Sequence, residues 1–184
     1  MLSFAGFVAA ALLAPAYEEL ESGPKTGADV NPFHVMDVTG KFKGTEVCYR
    51  CKYGDEPVVA IFAREINDKV ERACKELNKQ MEANKELKGF FVYISDDAEK
   101  AQTQLKEIAK KNEIKTLPLT VFKDKAGPAG YKISEKAGVT VVAWKDGTVK
   151  TTKAYEPGKF CDMCCKGVVA SFVKEHVKTE KAGG

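Results

Sequence analysis

Two short cysteine runs, Cys48-Tyr49-Arg50-Cys51 and Cys161-Asp162-Met163-Cys164-Cys165, hold the side chains best able to do chemistry in this 184-residue chain. Thiols three positions apart can close a small disulfide ring, exchange disulfides with another molecule, or form one edge of a metal site. Beside the first pair, Arg50 and Lys52 favour thiolate over thiol. If Cys161 begins a helix, all three sulfurs of the second run lie near one face, at a helix end whose partial positive charge stabilises thiolate. A bond between Cys164 and Cys165 would be strained, so Cys161 with Cys164 is the expected pair. Each run also has a plainer reading. The first is then a loop staple, and the second is buried apolar residues plus one disulfide. The catalytic candidates are Cys161, Cys164, Cys165, Cys48 and Cys51. Cys74 falls in an apolar stripe and reads as a small core residue.

The elements that would position these sulfurs follow from hydrophobic period. Residues 57–63 (PVVAIFA) and 89–94 (GFFVYI) are short, continuous apolar runs, the pattern of buried strands. Between them Val70, Cys74, Leu77 and Met81 fall at helical spacing, with Asn67 as N-cap. Ser95 is expected to cap a second helix whose stripe is Ala98, Ala101, Leu105, Ile108 and Ala109. A strand at 118–122 follows, then a short helix or turn at 130–136. A hairpin comes next, 139–144 and 148–155, closed by Asp146-Gly147. Pro157-Gly158 breaks the chain before a last helix, where Cys161, Cys165, Val168, Val169, Phe172 and Val173 share a face. Strand–helix–strand units imply parallel pairing and the hairpin adds antiparallel strands, so the expected architecture is a mixed α/β sheet with helices on both faces.

Composition narrows the function. With 29 basic and 26 acidic residues the net charge is only +3, too balanced to argue for nucleic acid as a partner. Two histidines leave little room for a His-rich metal site. No P-loop, GxGxxG or GxSxG occurs, and no cofactor is expected. Four thiolates holding one zinc in two pairs normally lie about 15–20 residues between pairs; here more than a hundred residues intervene. Topology also opposes one shared zinc, since Cys48 and Cys51 precede the first core strand whereas the last helix should start at the opposite sheet end. Zinc or copper at one cluster alone, or between two chains, stays open.

Residues 2–17 (LSFAGFVAAALLAPAY) are uncharged and apolar, ending in Ala14-Pro15-Ala16. That is short for a membrane span, which needs about 20 residues, but has the length and small residues of a secretory leader cleaved before Tyr17. The expected organisation is a leader at 1–16, a linker at 17–30, one domain at 31–178 and a tail at 179–184. No integral membrane segment is expected in the mature chain. The expected location is secreted or periplasmic, an oxidising setting for cysteines.

The element order, with Asn31-Pro32-Phe33-His34-Val35-Met36-Asp37-Val38-Thr39-Gly40, Leu117-Pro118-Leu119 and Val141-Val142-Ala143-Trp144-Lys145-Asp146-Gly147, resembles the thioredoxin-like superfamily in its peroxiredoxin (redoxin) branch. The resemblance spans roughly residues 31–178. It implies a thioredoxin-like fold and thiol–disulfide chemistry on protein partners. It also places the usual working cysteines near Ile66 and Lys69, and the usual proline at Val139 or Thr140, where this chain has neither sulfur nor proline. The expected function is therefore thiol–disulfide redox exchange moved to the CxxC and CxxCC runs. The alternative is a non-catalytic binding or structural module whose cysteines form disulfides or hold a metal.

Overall fold

The computed structural model describes residues 20–177, apart from the side chain of Asp162. The expected leader at 1–16, its cleavage point before Tyr17 and the tail at 179–184 lie outside the described residues.

Three strands form the parallel centre: β3 (Val58–Ala63), β4 (Lys88–Ile94) and β5 (Leu119–Phe122). Every side chain of β3 is buried, as expected of a strand covered on both faces. Helix α2 (Asp68–Ala83) crosses from β3 to β4, and α3 (Ala98–Lys111) crosses from β4 to β5. Asn67 caps α2 as its side chain suggests, accepting from Lys69 N at 3.0 Å and Val70 N at 3.1 Å. The cap of α3 is Asp97 rather than Ser95, because the Asp97 carboxylate reaches Lys100 N while Ser95 Oγ accepts from Asp97 N in the turn before it.

The hairpin β6 (Val139–Lys145) and β7 (Thr148–Tyr155) joins the other side of β3, with β6 antiparallel to it and Ala63 opposite Val139. Two small strands escaped the sequence reading. These are β1 (Val35–Asp37) and β2 (Glu46–Val47), which pair with each other and extend the sheet beyond β5. At three and two residues they are too short to display an alternation. The seven-stranded order is β2-β1-β5-β4-β3-β6-β7.

The helices are distributed less evenly than the sequence suggests. The residues of α2, α3 and the last helix, α4 (Asp162–His176), that reach the interior all join one core on one sheet face. Opposite them, a second core built on Phe62, Phe90, Tyr131 and Trp144 is covered by loops, by α1 (Tyr49–Tyr53) and by a 3-10 turn at Ala129–Tyr131. Both crossovers in one direction along the sheet are right-handed, which puts α2 and α3 on the same face. The chain must then return past β3 to start β6, and it does so over the other face.

The stretch read as linker also behaves differently in its described part. Gly27 N donates to Val149 O, Val149 N to Ala28 O, and Val30 N to Gly147 O, while Ser22 Oγ lies 2.7 Å from Thr140 Oγ1. Residues 22–30 thus lie along β7 and part of β6. Its Gly and Pro content supplies the turns for this path rather than looseness. Among the described residues no helix is long and apolar enough to cross a membrane.

Candidate functional site

The last helix begins where the sequence places it, with Cys161 as N-cap in extended backbone. Its Sγ accepts from Cys164 N at 3.1 Å, the same service a serine cap performs through oxygen. Cys161 and Cys164 are joined by a disulfide, their Cα atoms 5.2 Å apart, and both are half-buried. Cys165 turns inward and is fully buried with a free thiol. The three sulfurs are therefore not equivalent: two form a ring accessible to solvent and the third belongs to the core. Burial pushes the Cys165 thiol up to about 12, with the carboxylate of Glu76 adding to the effect. Within the ring, Met163 stands 77% exposed.

Sheet direction fixes where this ring sits. β7 runs parallel to β3, so α4 starts at the same sheet end as α2. The two helix starts are tied together: Gly158 N donates to Glu65 Oε1 at 3.0 Å, and Lys69 Nζ donates to Gly158 O at 3.2 Å. The tip of β3 itself carries no sulfur. Arg64 follows it and donates to the carbonyls of Ser134, Ile133 and Lys125, locking the loop before β6. Ile66 is half-buried against the core, and Lys69 reaches across to Gly158 in the turn before α4. Cys74 lies in the second turn of α2, fully buried, its thiol pushed well up by burial and by the nearby Cys165.

The first pair sits at the other end. Cys48 is the N-cap of α1 and is disulfide-bonded to Cys51, with Cα atoms 5.3 Å apart. Cys48 is buried and Cys51 exposed. The pair precedes β3, on the side of the β6–β7 turn, where Asp146 N donates to Asp55 O. The two pairs are therefore at opposite ends of the sheet, as the topology argument requires.

The neighbouring cations do not act as the sequence suggests. Arg50 donates from Nε to Val30 O and from Nη1 to Gly54 O, and Lys52 Nζ lies 5.2 Å from the centre of the Phe42 ring. Both are engaged with other groups, which leaves a five-residue helix to act on the sulfurs by itself. His34 is exposed and His176 packs on Phe172, so neither histidine belongs to a cysteine cluster.

Parallel β3–β4–β5, an antiparallel hairpin beside β3, and helices starting at the carboxyl end of β3 define a thioredoxin-like fold. Solved structures agree. The chain is similar to the peroxidoxin BcpB of Mycobacterium tuberculosis, with 20% identity over 84% of this chain and 99% of that one, TM-score 0.58. A putative protein disulfide isomerase from Bacteroides thetaiotaomicron superposes with TM-score 0.63, at 13% identity over 86% and 94% of the two chains. A secreted Mycobacterium tuberculosis disulfide oxidoreductase homologous to E. coli DsbE gives TM-score 0.53, at 14% identity over 76% and 95%. No family model matches the chain, and no curated protein does. At these identities the likeness establishes the fold.

Proposed function

We propose that this is an exported thiol–disulfide exchange protein whose working pair is Cys161 and Cys164. The observation that carries the reading is the position of the ring. It caps a 15-residue helix at the sheet end where thioredoxin-like folds keep their thiols, beside the sulfur-free start of α2. A thiolate leaving from this ring is stabilised by the helix end, which lowers the barrier to exchange. A thiolate of a partner dithiol attacks one sulfur of the ring, breaks the Cys161–Cys164 bond and frees the other as thiolate. The partner's second thiolate then displaces the mixed disulfide. The partner leaves oxidised and α4 carries two thiols, so atoms and electrons balance. Protein thiols or disulfides are the partners this chemistry fits. Export is supported by the apolar run at 2–16 with its Ala-Pro-Ala end, by two closed CxxC rings, and by the secreted neighbour in fold.

The sulfur-free tip of β3 favours a second reading, in which the fold persists as a binding module and both rings are staples. Redox titration with differential alkylation separates the two. A Cys161–Cys164 couple in the range of about −270 to −120 mV supports exchange, and a couple below about −300 mV supports a staple. Cys48–Cys51 is expected on the staple side, because nothing beyond one helical turn stabilises its thiolate.

A further inference from the structure

Two thiols remain outside this chemistry, and the fold brings them together. α2 and α4 both run away from the same sheet end, so they lie side by side and parallel, held at their starts by the Lys69–Gly158 and Glu65–Gly158 bonds. Cys74 lies six residues, or about 9 Å, beyond the first residue of α2. Cys165 lies four residues, or about 6 Å, beyond Cys161. Both are buried in the one core that α2 and α4 share. The two sulfurs are near enough that charge on Cys165 disfavours charge on Cys74. Cys165 is also one helical turn from Cys161, the spacing that places side chains above one another on a helix face.

We propose that Cys74 and Cys165 form a second, internal redox pair that exchanges with the Cys161–Cys164 disulfide; this rests on the exchange reading of α4. Cys165 Sγ attacks Cys161 Sγ, breaking the Cys161–Cys164 bond, and its proton passes to the released Cys164. Cys74 then attacks Cys165 Sγ, breaking the Cys161–Cys165 bond and releasing Cys161. The two protons of the buried thiols end on Cys161 and Cys164. One disulfide is made for one broken, and no outside oxidant is used. The outcome is a disulfide joining α2 to α4 and an exposed dithiol ready to reduce a partner. The core then serves as a store of two reducing equivalents behind the surface ring.

The experiment starts from the full-length protein, fully reduced, to which glutathione disulfide is added stepwise. Samples are quenched, free thiols are alkylated in denaturant, and the protein is digested with trypsin. Cleavage after Arg72, Lys75, Lys159 and Lys166 isolates fragments 73–75 and 160–166, so a bond from Cys74 to this run is read as their linked mass, and tandem fragmentation of the linked pair assigns it to Cys165 by placing the two alkyl groups on Cys161 and Cys164. The expected result is that the linked pair appears after the Cys161–Cys164 disulfide, with Cys161 and Cys164 then alkylated. In C161S the linked pair is lost. In C74S it is absent, while Cys161–Cys164 still forms. Free Cys74 and Cys165 at every step, with Cys161–Cys164 fully formed, would overturn the internal pair and leave the exchange reading standing. A linked pair that persists in C161S would overturn the internal route. A Cys161–Cys164 ring that never responds to glutathione would overturn both.

Discussion

Asp37 lies inside the protein, and three donors satisfy its carboxyl oxygens. Gly40 N reaches Oδ1 at 2.7 Å, while Phe42 N at 2.8 Å and Tyr49 Oη at 2.7 Å reach Oδ2. Tyr49 stands between Cys48 and Cys51, so this bond fastens α1 to β1. Tyr49→Phe removes one of the three donors and is expected to cost about 1–3 kcal/mol in a urea melt, leaving the α4 couple unchanged. Gly40→Ala should be worse tolerated, since an added Cβ would stand 2.5 Å from Tyr49 Oη and 2.7 Å from Asp37 Oδ2, and lowered stability in the same melt checks it. Among the cysteines, Cys165 is held protonated by burial, at about 12. Iodoacetamide should therefore label it slowly in the native protein, with the rate rising about tenfold per pH unit, whereas a reduced Cys161–Cys164 pair labels readily at neutral pH.

Replacing Cys48 and Cys51 together by serine opens a ring of four residues. The loop-entropy relation gives about 2 kcal/mol for it, an expected loss seen as a lower denaturation midpoint with glutathione exchange at α4 retained. The longer elements were legible in the sequence for a physical reason. Over Val70–Met81 the core imposes a helical period, and over Val139–Trp144 an unbroken buried run, on many residues at once, and α4 is marked by the Pro157-Gly158 break before it. The small elements imposed no period. β1 is held by its neighbour β2 and by β5, which is distant in sequence, and α1 by its disulfide and Tyr49. The same limit applies to the candidate site. That Cys161 starts a helix follows from local residues, and that it stands beside α2 follows from strand order. The engagement of Arg50 with Val30 O, and the burial of Cys165 in the same core as Cys74, depend on where separate segments meet. No spacing rule contains that information.

For the molecule as a whole, the alkaline side is the vulnerable one. In the unfolded chain a thiol loses its proton near about 8.5, whereas folded Cys165 holds its proton to about 12. Burial likewise raises Cys74, Tyr49, Tyr53 and Tyr131 above their ordinary values, a hydrogen bond to Asp37 adding to the shift of Tyr49. Between the unfolded and folded values the native state binds more protons, so stability is complete below about pH 8.5 and falls as pH rises from there. Thermal melts across that range should show a declining Tm, with a shallower decline in C165V than in the parent chain. Finally, among the described residues all seven strands precede α4 in the chain. A ribosome therefore delivers the entire sheet before the first sulfur of the Cys161–Cys164 ring emerges, and a nascent chain at that stage carries the scaffold with its proposed activity still unmade.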